Sequence, residues 1–171
     1  ERLAVVETRL DQAVRDPNSV ADAQDRLALA QLCASKGTFD SAVVFYRAAF
    51  SASPALADDA ASGHRFAAVR AAARAAAAGA TSPKPPAKSV VAAWRKQALE
   101  WLRAELAARR QQLVGADVRA AGEARGCLAS WRRDAHFAAL RDDVELANLP
   151  ADERTAWRTL WQDVDAALAA K

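Results

Sequence analysis

The chain has no methionine, two cysteines, one tyrosine, and only six glycines and six prolines in 171 residues. Two cysteines, Cys33 and Cys127, make neither a metal-binding motif nor a disulfide framework, which points to a reducing, cytoplasmic setting. No apolar run is long enough to span a bilayer: Ala71 to Ala80 is nearly all alanine, but too short and too weakly apolar. Glu1, Glu7 and Asp11 interrupt the opening residues, so they do not read as a signal peptide. With no Met and with Glu1 at its head, the sequence reads as a piece of a longer polypeptide.

Alanine is what the chain has in excess. It supplies 47 residues, so much of the 52% hydrophobic content is small. Large apolar side chains are few, with five Trp and five Phe beside a modest set of Leu and Val. Scarce Gly and Pro leave room for long helices, and Ala, Leu, Arg and Glu form them readily. The expectation is a single all-α domain over residues 1–171, its helices packed closely through alanine faces and anchored by Trp and Leu. Cys33 lies on such a face and reads as a small buried hydrophobe.

Periodicity and breakers predict about six or seven helices. Leu3, Val6, Leu10 and Val14 give the first, over Arg2 to Arg15, followed by a turn at Asp16-Pro17-Asn18. Ser19 or Asn18 caps a second helix, Val20 to Lys36, which stops at Gly37. Thr38 caps a third, Phe39 to Ala52. A stretch from Pro54 to Ala78 is bent or broken at Gly63 and ended by Gly79. Thr81 to Lys88 is a proline-rich linker. Ser89 then caps a long helix to Leu113, with Trp94, Ala98, Trp101, Leu102 and Leu106 on its apolar face. A weaker helix spans Ala116 to Trp131, and short turns fall between Asp134 and Asn148. Pro150 opens a last helix, where Trp157, Leu160, Trp161, Val164 and Leu168 form the clearest amphipathic stripe. The spacing of the tryptophans reads as core, and predicts that the Trp94/Trp101 and Trp157/Trp161 helices are neighbours whose indoles meet or interleave.

Leu29 to Pro54 carries the most specific pattern. Ala49, Tyr46 and Ala42 stand five, eight and twelve residues before Pro54, and Gly37 lies at the turn between two helices. On these positions the segment resembles a tetratricopeptide (TPR) helix hairpin. Residues 21–54 make the best repeat, although Arg26 stands where a large aromatic is usual. Residues 55–113 read as a degenerate second unit interrupted by the linker at 81–88, and 114–171 as a C-terminal helical cap. Taken together, SPALADD, HRFAAVRAA, WRKQALEWLRAEL, SWRRDAHFAALRD and LPADERTAWRTLWQDVDAAL resemble the C-terminal TPR-like region of large bacterial proteins. Many of those are eukaryotic-like Ser/Thr protein kinases. A kinase's Gly-rich loop, HRD-type loop and DFG-type metal site have no counterpart here, so the resemblance implies a non-catalytic region.

TPR scaffolds take up partner peptides on a concave face, which the resemblance places at Gln24, Leu27, Gln31, Ala34 and Ser35. Arg70 and Arg74 are set to meet an anionic partner. Leu27 and Gln31 stand where the carboxylate-clamp version has Lys and Asn, which disfavours an acidic C-terminal peptide. The alternative to a peptide groove is a solvated or intramolecularly filled one.

Charge supports a second reading. Residues 84–133 hold eleven basic and four acidic side chains, whereas 134–171 hold four basic and eight acidic. A basic block suggests nucleic acid or another polyanion. Against that, Arg95, Arg103, Arg109 and Arg110 are spread around their helix, and the acidic tail can pair with them. Homo-oligomerisation is a third reading. His64 and His136 are the candidates for proton transfer, and neither lies in a metal or nucleophile motif. No enzyme activity, metal or cofactor is expected.

Overall fold

The structure is a computed structural model that describes residues 13–14, 16 and 19–170. Of the helix expected over Arg2 to Arg15 the structure describes Ala13 and Val14, both helical; the rest of it and most of the turn after it lie outside these residues. Among the described residues the chain is all-helical, without strands: α1 Ala23–Ser35, α2 Phe39–Ala52, α3 Ala55–Asp58, α4 His64–Thr81, α5 Lys88–Val114, α6 Val118–Trp131, a 3-10 turn Ala135–Phe137, α7 Ala138–Arg141, α8 Asp143–Leu146 and α9 Ala151–Ala169. The count exceeds the six or seven expected because α3, α7 and α8 are single turns, too short to show a period.

α1 starts later than the sequence predicts. Asp22, not Ser19 or Asn18, caps it, accepting bonds from the Gln24 and Asp25 amides. Gly37 takes φ +81°, the left-handed turn that closes α1 onto α2. Thr38 sits at the start of α2 without capping it; its hydroxyl donates to the Cys33 carbonyl at 3.1 Å. Alanines make the close approach between these helices possible. Ala30, Ala42 and Ala49 are wholly buried, with Cys33, Phe45 and Tyr46 beside them. Burial pushes the Tyr46 hydroxyl up to about 12.

α2 next packs on α4, and α4 on α5; Phe39 at the start of α2 lies by Arg74 late in α4, and Gly79 late in α4 by Trp94 early in α5, so each pair runs antiparallel. Gly63, at φ +66°, breaks the stretch after Pro54 and starts α4. Gly79 does not end that helix, contrary to expectation, because α4 continues to Thr81. Its missing side chain makes room instead: a Cβ there would lie 2.9 Å from Trp94 and 3.3 Å from Pro86. Ala87, not Ser89, holds the cap position of α5, and no side chain caps it.

The C-terminal part is held by aromatic rings. Phe66 of α4 stacks on Trp131 at 5.4 Å and meets Phe137 edge-on at 5.9 Å. Phe137 in turn meets Trp161, whose indole N–H donates to the Leu140 carbonyl at 2.7 Å. Most of the expected stripe of α9 is buried, with Trp157, Leu160, Trp161 and Val164 each 4% exposed or less, while Leu168 is half-buried. α5 and α9 are neighbours. The expected meeting of their indoles is corrected, since Trp101 turns to Phe50 of α2 and Trp94 to Gly79. Of the α9 tryptophans, Trp161 turns instead to Phe137 and the Leu140 carbonyl.

Candidate functional site

The predicted partner-binding residues separate into two groups. Gln24, Leu27 and Gln31 share one face of α1 and, with Ala28 and His64, line an open hollow of about 200 Å³. Leu27 is its buried floor, while both glutamine side chains stand exposed at the rim. Gln31 Nε2 lies 3.5 Å from His64 Nδ1, which links α1 to the first residue of α4. The hollow therefore offers amides and an imidazole around an apolar base. His64 and Ala28 are members that sequence reasoning missed; only the second helix pair brings His64 there.

Ser35, Arg70 and Arg74 line other surfaces. The Ser35 hydroxyl turns back to the Leu32 carbonyl at 2.8 Å. Arg70 pairs with Asp134 at 3.4 Å, so a residue of the C-terminal part takes the anion's place. Arg74 lies 3.8 Å over the Phe39 ring. His136 sits in the 3-10 turn beside these groups. Its pKa is lowered, first by burial and then by Arg70 and Arg74, with Asp134 opposing.

A second, larger groove of about 480 Å³ runs between the α1–α2 turn and the proline-rich linker. Phe39, Trp94, Pro85 and Pro86 wall it, Gly79 lies at its base, and Asp40 and Lys84 give it one charge of each sign. A third hollow, of about 400 Å³, is lined by Arg132, Arg141 and Arg158. Each arginine already has a partner: Asp165 at 3.1 Å, Asp142 at 2.9 Å and Asp143 at 2.9 Å. Such an arrangement offers no unsatisfied positive charge to an anion.

The basic block is occupied in the same way. Arg95 forms a forked pair with Glu153, and Arg110 binds Asp163 at 2.9 Å. Arg103 reaches the Ala156 carbonyl at 3.5 Å. Arg109 does not pair with the acidic tail: it is only 8% exposed and is bound to a fully buried Glu105 on its own helix. Acids of α9 thus pair with Arg95, Arg110 and Arg132, three of the eleven basic side chains of residues 84–133.

Burial raises both thiols, Cys33 and Cys127, above their usual range, so neither is set up as a nucleophile. Among the described residues no three His, Cys, Asp or Glu side chains are grouped to hold a metal ion. None of the described helices is long and apolar enough to cross a membrane. No protein-family model, no curated protein and no solved structure matches the chain.

Proposed function

We propose that this chain is a non-catalytic protein-interaction scaffold, a TPR-like array of helix hairpins that binds a peptide segment of a partner protein across α1 and the start of α4. One observation carries the reading: Gln24, Leu27 and Gln31, chosen on the TPR resemblance alone, line one open hollow together with His64 of the next hairpin. A peptide laid there would bury its apolar side chain on Leu27 and bond its backbone to the glutamine amides. The regular hairpin α1–α2, with Gly37 at its turn, and the antiparallel pair α4–α5 behind it support the TPR-like description. Attachment to a larger cytoplasmic bacterial signalling protein, such as a Ser/Thr kinase, belongs to the same reading.

Peptide display gives the test. A random peptide library selected on the whole chain yields binders that lose at least about tenfold in affinity, about 1.4 kcal/mol, on the Gln24→Arg/Gln31→Arg double variant. Both positions are exposed, so the fold is not at stake. Binders indifferent to that change, or none at all, would sink the proposal. Polyanion binding is disfavoured by the paired arginines. It would show instead as single-stranded DNA affinity falling steeply between roughly 50 and 200 mM salt.

A further inference from the structure

The polar cluster under the α3–α4 connection has no part in the partner hollow, yet it is the most deeply buried charge among the described residues. Glu105, in the middle of α5, is 1% exposed, and Arg65 and Arg109 are 7% and 8% exposed. One Glu105 oxygen accepts from Arg109 at 2.7 Å, and the other lies 3.6 Å from Arg65. A single carboxylate thus orients two guanidinium groups. Each of them turns its remaining donors outward onto the same surface segment: Arg65 binds the Asp58 carboxylate, and Arg109 donates to the Ala60 carbonyl at 3.1 Å. Arg109 also donates to Gln112 at 3.1 Å.

Left to itself, the segment from Pro54 to Gly63 has little to hold it. Its one helix is the four-residue α3, and a single turn is not stable alone. Its other backbone bonds are local, such as Ser62 N–H to the Asp59 carbonyl at 3.2 Å. Only Leu56 and Ala57 rest on the core, and both are half-buried. The segment ends at the left-handed Gly63, and the next residue is His64, whose amide donates to the Ser62 hydroxyl at 3.4 Å. His64 is also the α4 member of the partner hollow.

We propose that Pro54–Gly63 is a strap clasped from within by the Arg65–Glu105–Arg109 cluster, and that the clasp sets where His64 stands in the partner hollow. The second clause rests on the proposed function; the first does not. The geometry provides a chain of direct contacts from Glu105 through Arg109 to Ala60, and from there along three residues of backbone to Gly63. Opening the strap frees the glycine to turn, and His64 then loses its place opposite Gln31.

Arg109→Lys tests the clasp in the whole chain. A lysine keeps a positive charge against Glu105, but its compact ammonium cannot reach Glu105, Gln112 and the Ala60 carbonyl as the planar fork does. Amide exchange followed by mass spectrometry should then quicken at least about tenfold in a 54–63 fragment, the worth of one charge-assisted bond to a carbonyl. Fragments of α4 and α5 keep their rates, and the His64 ring signal moves in the proton–carbon NMR spectrum. Equal quickening in all three fragments would make the cluster ordinary core stability and overturn the strap. Unchanged exchange at 54–63 would do the same. Quickening with a stationary His64 signal would overturn the link to the hollow. If the lysine variant does not fold, Asp58→Asn releases Arg65 from the exposed end and is read identically, since Asp58 is 69% exposed. Neither readout uses a partner, so a failure to find binding peptides would sink the functional reading and leave the strap standing.

Discussion

The two halves of the molecule are held together by opposite means. In α1, α2 and α4 the seams are rich in alanine: Ala30, Ala42, Ala49, Ala68 and Ala72 are all 0% exposed. In α6 to α9 the space is filled by rings, with Trp131, Phe137 and Trp157 equally buried. Small side chains let two backbones approach and gain contact along the whole seam. Large ones hold short, irregular pieces together around a few anchors. The first half should therefore be damaged by adding atoms and the second by removing them.

Deletion in the aromatic half has the largest expected effect. Trp161→Ala removes a ring that is 4% exposed, meets Phe137 and bonds the Leu140 carbonyl. It should cost about 4 kcal/mol, the range for a buried aromatic truncated to alanine. Urea unfolding measures it, and a loss below about 1 kcal/mol would show that the ring is not an anchor. The mirror experiment is Ala42→Leu. That alanine of α2 is wholly buried, so three added carbons must push its neighbours apart or force a poor rotamer. A loss of about 2 kcal/mol follows. Were the leucine accommodated at no cost, the close seam would not be real.

Gly79→Ala tests whether a small residue can matter at a single point of contact. In an open helix the change gains about 1 kcal/mol. Here the new methyl meets the Trp94 ring at 2.9 Å, Val91 at 3.2 Å and Pro86 at 3.3 Å. The gain is cancelled, and a net loss of about 0.5 kcal/mol is expected as Trp94 is pushed outward. Calorimetry gives the sign. A red shift in tryptophan emission that is absent in a Trp94→Phe background identifies Trp94, among the five tryptophans, as the ring that moved.

The regular half was the more legible in sequence, because its signals are local. Gly37 at a turn and alanines at fixed distances from Pro54 describe one hairpin without reference to the rest of the chain. The stripe on α9 was equally plain, since Trp157, Leu160, Trp161 and Val164 lie within two turns of one helix. What was hidden depends on residues far apart. Trp101 and Phe50 meet across 51 positions of sequence, and nothing in either helix's period names the partner. Glu105 and Arg109 stand four residues apart on α5, an ordinary helical spacing, and only the folded chain buries them and sets Arg65 and the Ala60 carbonyl beside them. Gly79 read as a helix end because glycine most often serves there, and its use as a socket for Trp94 appears only when α5 folds back. Within the hollow, the three α1 residues followed from the hairpin alone, whereas His64 required the second pair to be placed.

The smallest effect concerns the junction where the two halves touch. His136 of the 3-10 turn lies against α4, with Asp134 on its own turn and Arg70 and Arg74 facing it. Burial and the two arginines lower its pKa from the ordinary 6.5, outweighing Asp134. The native ring therefore takes up its proton less readily than the ring of the unfolded chain. Between the two pKa values the unfolded state binds more protons, so acid favours unfolding. This part of the stability is fully present above pH 6.5, falls as the pH drops through it, and levels off once the native ring is protonated too. Urea midpoints taken from about pH 7.5 down to about pH 5 trace the fall, and His136→Gln should flatten it. An acid limb that survives the substitution would assign it to other groups, and the contact between the halves would then be indifferent to the charge on this ring.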